Sequence, residues 1–372
     1  MHSGLDPIAG GALLGAICAE FVIFYFAKQI GEFLEVMDHP DSDRKWHAHV
    51  TPLVGGLAIM IPLAIWAGAS FAWGSIANAR LLLAVLLCGL GATLVGYADD
   101  QTSTSPSSRL LSLLLLTAVA LTIEPSLIPV RLNWGFLGPL GLFPWAAISL
   151  MAISMAGFVN AVNMADGQNG IVTGMFVVWS LSLLAVAGGE TQNIALVLFA
   201  TSLTAFLFNM AGRAFLGDAG TYGVTFVFGL LAIHAHNSWG VSVATIVVWF
   251  FIPVTDCLRL IFSRALGGRA PSDADRNHFH HRLQDRVGHT FGLLIYLGAV
   301  GTSSLVASLM PSLSMLCLLL LTAFYFSLAW TDTDEALEIR TAQLTKDAER
   351  FRLVANGNVV RLDPHERSPE GH

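Results

Sequence analysis

The chain reads as an all-α membrane protein, a polytopic bundle of about eleven transmembrane helices. Three observations predict this class. The 372 residues are 54% hydrophobic and 12% charged, with a mean hydropathy of +0.65, which is more apolar surface than a soluble core can hide. Apolar runs repeatedly reach about 20 residues, the length a helix needs to cross ~30 Å of hydrocarbon. None of them alternates with the period of two that a barrel strand requires.

In order, the spans fall near 7–27, 52–73, 80–97, 109–124, 142–159, 171–188, 193–212, 221–236, 240–258, 291–309 and 312–330. The first run has no basic leader and no convincing small-residue cleavage site, so it is expected to persist as a helix. An odd count puts the termini on opposite sides. One set of hydrophilic segments holds 28–51, 98–108, 160–170, 213–220, 259–290 and the tail; the other holds the N-terminus, 74–79, 125–141, 189–192, 237–239 and 310–311. Of the 19 Lys and Arg, all but Arg80 and Arg131 fall in or at the edge of the first set. The positive-inside rule therefore makes that set cytoplasmic, with the N-terminus outside and the C-terminus inside. The chain divides into a membrane domain, 1–330, and a cytoplasmic tail, 331–372, whose residues 334–353 have the pattern of a short amphipathic helix and whose Asn356-Gly357 suggests a hairpin turn.

Cys18, Cys88, Cys257 and Cys317 lie in apolar runs without C-x-x-C spacing, so neither a disulfide framework nor a zinc knuckle is expected. Glu20, in the first span, is expected to face the bundle interior or lie near a helix end. The net charge of -7 comes largely from loop carboxylates and points to no nucleic-acid partner.

The chemistry is concentrated in the cytoplasmic set. Between two apolar runs, Phe158 to Gly174 offers Asn160, Asn163, Asp166, Gln168 and Asn169 with Gly167, Gly170 and Gly174. Lipid cannot solvate such groups, so they face water, a cation, a polar ligand or each other. Asn160 and Asn163 share a face if the fifth helix persists, and Gly170 leads into the free amides of the sixth. Upstream, Asp38 to Gly56 carries Arg44, Lys45, His47 and the pair Gly55-Gly56, suited to phosphate oxygens and to close backbone approach, although positive-inside anchoring explains the same cations. Asp99-Asp100 closes the third span; adjacent carboxylates there would be relieved by a divalent cation, or simply sit exposed at a loop start. Phe215-Leu-Gly-Asp218-Ala-Gly220 puts another carboxylate at a span boundary. The last segment runs from Asp256 through Arg259, Arg264 and Arg269 to Arg276, His278, His280, His281 and Arg282. Zinc would want Cys or carboxylate partners, and the hard carboxylates elsewhere favour Mg²⁺, so the His-Arg group is taken as a clamp for a sugar phosphate.

These clusters, in this order, resemble the polyprenyl-phosphate N-acetylhexosamine-1-phosphate transferases, over roughly residues 38–290. Asp38-x-Pro40, Arg44-Lys45-x-His47 and Pro52-x-x-Gly55-Gly56 resemble the first cytoplasmic motif, and Asp99-Asp100 the acidic pair. Asn160-x-x-Asn163-x-x-Asp166-Gly167 resembles the nucleotide-site motif, and Phe215-x-Gly217-Asp218-x-Gly220 the segment with the metal-binding aspartate. His278-x-His280-His281 resembles the GlcNAc form of the last motif rather than the muramyl-pentapeptide one. Two departures stand out. Asn169 occupies a position where the family commonly has a second Asp, and Asp41-Ser-Asp43 makes the first loop one residue longer than usual.

The resemblance implies transfer of a sugar 1-phosphate from a UDP-N-acetylhexosamine to undecaprenyl phosphate at the inner face of a bacterial inner membrane, releasing UMP and beginning a cell-envelope glycan. It implies Mg²⁺, or Mn²⁺, held by Asp218 with Asp100, and Asp99 orienting the acceptor or taking a residual proton. Lys45, His47, Arg276, His278, His280 and His281 would bind phosphates and sugar; Asn160, Asn163 and Asp166 would hold the nucleotide, and Phe215 its uracil. Association into a homodimer is left open. The competing class is a secondary transporter, which would need a repeat relating two halves and ionisable groups at mid-membrane; neither stands out. A membrane-embedded phosphatase would leave the Asn-Asn-Asp-Gly cluster unexplained.

Overall fold

A computed structural model describes residues 7–39, 50–135, 138–266, 268 and 278–329. Its helices are α1 (Pro7–Tyr25), α2 (Ala27–Phe33), α3 (Gly55–Ala72), α4 (Ala79–Thr102), α5 (Pro106–Ile123), α6 (Pro144–Ala165), α7 (Ile171–Val186), α8 (Gly189–Met210), α9 (Gly217–Trp239), α10 (Val243–Leu266), α11 (Phe279–Val287), α12 (His289–Leu309) and α13 (Ser314–Ala329). Two short antiparallel pairs interrupt them: β1 (Met37–Asp38) with β2 (Thr51–Pro52), and β3 (Arg131–Leu132) with β4 (Leu140–Gly141). The protein is an all-α polytopic membrane protein. Among the described residues, eight helices are long and apolar enough to cross a membrane, and α1 with α2, bent by 70° at Phe26, makes a ninth candidate. The predicted tail helix and hairpin lie outside the described residues. Residues up to Thr322 group as one compact unit; Ala323–Ala329 belong to a second.

Each predicted span overlaps helix, the first of them reaching both α1 and the start of α2, but several helices continue past the point where hydropathy falls. α4 carries on to Thr102, α6 to Ala165 and α10 to Leu266, so Asp99, Asp100, Asn160, Asn163 and Arg259 all sit on helix. Apolar composition reports where lipid ends; the backbone ladder ends where a cap or a neighbour stops it. For α4 the stop is Ser103, in the left-handed conformation at φ 50°, and Ser105-Pro106 then starts α5, with the Ser105 hydroxyl accepting the Ser108 N–H at 3.2 Å.

α9 is the centre of the bundle. It is less apolar than its neighbours, yet every residue from Ala219 to Ala232 is buried, as expected of a helix surrounded by others on all sides. α4 packs along it most extensively, with α3 and α6 beside it. Glycine makes this closeness feasible: a Cβ at Gly56 of α3 would run into the Gly220 backbone, and one at Gly96 of α4 into the Asp218 carbonyl. Beyond the glycine contacts, Phe158, Phe176, Trp179, Phe228 and Phe250 form an aromatic cluster. Trp179 Nε1 donates to the Trp249 carbonyl at 2.8 Å, so the indole is satisfied in the interior.

Candidate active site

The carboxylate pair on α4 does two different jobs. Asp100 reaches across to the start of α9, where its Oδ1 accepts the Asp218 N–H at 2.9 Å and its Oδ2 the Ala219 N–H at 3.0 Å. Those amides are the unsatisfied donors of a helix N-terminus, so a carboxylate from another helix acts as their cap. Asp99, buried at 6% exposure, faces α5 instead. Its Oδ2 accepts from Arg109 Nη1 at 2.6 Å and Tyr222 Oη at 3.4 Å, and its Oδ1 from the Thr104 amide at 2.7 Å and hydroxyl at 2.9 Å. A carboxylate this deep needs such partners, because taking an unpaired charge from water costs several kcal/mol by order of magnitude.

Asp218 sits between the pair and α6. Asn163 Nδ2 donates to its Oδ1 at 2.5 Å and to Thr221 Oγ1 at 3.2 Å, which puts the polar face of α6 against the first turn of α9. Asp100 is also within electrostatic reach of Asp38 and of Asp166. Four segments far apart in sequence therefore bring carboxylates towards one place, and like charges so gathered repel unless a cation or proton intervenes. The loop before α9 is tied to the start of α3: Phe215 N–H donates to the Pro52 carbonyl at 2.9 Å, Gly55 N–H to the Phe215 carbonyl at 2.9 Å and Gly56 N–H to the Leu216 carbonyl at 3.1 Å. Gly217, at φ +71°, makes the turn that aims Asp218.

α11 closes another side. His280 is 2% exposed, its Nε2 has no hydrogen-bond partner among the described residues, and it lies against Gly167, next to Asp166. Burial, with His281 and His278 beside it, holds the His280 imidazole well below its usual pKa, so it stays neutral. The His278 and His280 rings are stacked at 5.4 Å, and those of His280 and His281 lie 4.2 Å apart.

Of the residues expected from sequence, Asp99, Asp100, Asn163, Asp166, Phe215, Asp218, His278, His280 and His281 thus come to one pole. Asn160 points elsewhere, its Nδ2 lying 3.6 Å from Met164 Sδ and 3.9 Å from Cys257 Sγ. Lys45, His47 and Arg276 lie outside the described residues, as does the longer stretch Asp41-Ser-Asp43. Among the described residues no three His, Cys, Asp or Glu side chains form a metal cage.

Sequence reasoning left two contributors without a role. Arg109 stands ten residues after Asp99, at the start of a span, where it looks like a boundary cation. Asp256 stands three residues before Arg259, a spacing that pairs the two on a helix; ending the span at 258 and placing Arg259 in the loop beyond it hid the signal.

The family model described as Glycosyl transferase family 4 matches residues 82–236, the segment from α4 to the end of α9. A relative from Bacillus subtilis, described as a probable undecaprenyl-phosphate N-acetylglucosaminyl 1-phosphate transferase, is 25% identical over 297 residues, 76% of this chain and 80% of its own. An undecaprenyl-phosphate alpha-N-acetylglucosaminyl 1-phosphate transferase from Escherichia coli is 27% identical over 82% of this chain and 86% of its own. Its counterpart from Salmonella typhi is 28% identical, with the same shares covered.

Proposed function

We propose that this chain, whose residues 82–236 match the glycosyl transferase family 4 model, transfers N-acetylglucosamine 1-phosphate from UDP-GlcNAc to undecaprenyl phosphate, releasing UMP. The observation that carries the reading is the meeting of Asp99, Asp100, Asn163 and Asp218 at one pole, beside the His side chains of α11.

An oxygen of the lipid phosphate forms the new bond to the sugar-bearing phosphorus, and the bond from that phosphorus to the bridging oxygen breaks as UMP leaves. A phosphomonoester has its second pKa near 6, so the acceptor is mostly dianionic at neutral pH and needs little help from a base. Asp99 then orients rather than deprotonates, in keeping with its anchorage by Arg109 and Thr104. Asp218 and Asp100 are the residues to hold Mg²⁺, or Mn²⁺ in its place. When bound, the ion would neutralise the diphosphate oxygens and the departing UMP. Asn163 fixes the Asp218 carboxylate and faces the nucleotide side with Asp166. The neutral His280 and its neighbours, with Lys45, His47 and Arg276, take the sugar and phosphate oxygens.

The active pole is cytoplasmic in this reading, with eleven crossings, the N-terminus outside and the chain in a bacterial inner membrane. The Lys and Arg distribution supports that orientation. The test is incubation of the purified protein with undecaprenyl phosphate, Mg²⁺ and a panel of UDP-sugars, reading UMP. UDP-GlcNAc should give the fastest release, which EDTA should stop and added Mg²⁺ restore. Absence of UMP with every sugar nucleotide would overturn the proposal.

A further inference from the structure

Asp256 has no part in the chemistry described so far, yet it organises the side of the site built by α11. It lies on α10 one turn before Arg259 and is 5% exposed. Its Oδ1 accepts from Arg259 Nη2 at 2.9 Å; its Oδ2 accepts the Phe279 N–H at 3.2 Å and lies 3.1 Å from His278 Nδ1. The guanidinium offsets the burial of the charge, and the bond to Phe279 caps α11. The contact with His278 has a chemical consequence. A carboxylate cannot donate, so the proton between the two groups must sit on Nδ1. That leaves Nε2 as the atom of His278 available to a ligand, as a lone pair in the neutral ring or a donor in the charged one.

We propose that Asp256 is a positioning residue: it sets the tautomer of His278 and seats the stacked His278–His280 pair against the Gly167 turn, where the diphosphate and sugar of the nucleotide substrate bind. The idea rests on the transferase reading for its substrate. Its geometry stands on α10 and α11 alone. Outer hydrogen-bond partners of metal-bound histidines change affinity or activity by about 10–100-fold when removed, and the same scale is expected for a histidine that grips phosphate.

Asp256→Asn separates this role from simple support. The amide is isosteric; with its oxygen at the Oδ2 position it can still accept the Phe279 N–H and face His278 Nδ1, but its NH₂ is then set against the Arg259 guanidinium and no charge is left to hold the proton on Nδ1 of His278. With purified protein, the variant should lose about 10–100-fold in kcat/KM for UDP-GlcNAc while KM for undecaprenyl phosphate stays unchanged. Combined with His278→Ala, it should cost nothing further. Equal damage towards both substrates, or additive losses in the double variant, would mean a merely structural carboxylate. A second measurement needs no variant. In ¹⁵N-histidine spectra of the wild-type protein, His278 should carry its proton on Nδ1, and a bare Nδ1 would overturn the proposal. Failure of the wild-type protein to release UMP would remove the transferase reading instead, and the ¹⁵N result would still decide what Asp256 does to His278.

Discussion

At Asp218 a carboxylate receives Asn163 on one side while its own backbone amide is capped by Asp100. Replacing it with Asn keeps the size and removes the charge that would meet a cation. Asp218→Asn should therefore lower UMP release by about 10²–10³-fold or more, the scale of losing one charge-stabilising group, with insertion unaffected. Asp99→Asn should do similar damage by freeing Arg109. His280 leads to a pH prediction. The folded chain keeps its imidazole neutral, whereas the unfolded chain takes up a proton around the ordinary value of 6.5. Its folded pKa is depressed, so the unfolded state binds more protons in acid, and stability present above pH 6.5 is lost as pH falls. Thermal unfolding in detergent between pH 5 and 8 should show this decline, and His280→Asn should flatten it.

At the scale of elements, the glycine contacts among α3, α4 and α9 carry the most specific expectation. Ala at Gly56 would push its methyl against the Gly220 backbone, where nothing flexible can give way. Overpacking of this kind costs about 1–3 kcal/mol, and Gly56→Ala should lower the unfolding midpoint together with UMP release. The existence of these helices was legible in the apolar runs, and their polar ends were not. Hydropathy falls near residue 97, but α4 continues to Thr102 because Asp100 is engaged with α9 and Asp99 with α5. Those are long-range contacts, which local composition does not encode. The same blindness put Arg259, the helical partner of Asp256, in a loop.

For the whole molecule, what could be read in advance was the gathering of polar clusters on one side, since positive charge and carboxylates both avoid lipid. The partners within that gathering could not be read, because Asn163 and Asp218, and likewise His280 and Gly167, meet in space across long stretches of intervening sequence. Cysteine labelling reads the orientation directly. In a background lacking the native cysteines, Gln192→Cys should react with an impermeant maleimide from outside the cell, and Ser107→Cys only after permeabilisation. The reverse pattern would invert the topology. One wall of the active pole is joined by main chain against main chain at Gly56, Gly96 and Gly220, whereas α11 rests on Gly167 through a side chain. A paralogue could thus be retailored for a different sugar by redecorating α11, while its phosphoryl-transfer geometry stayed frozen.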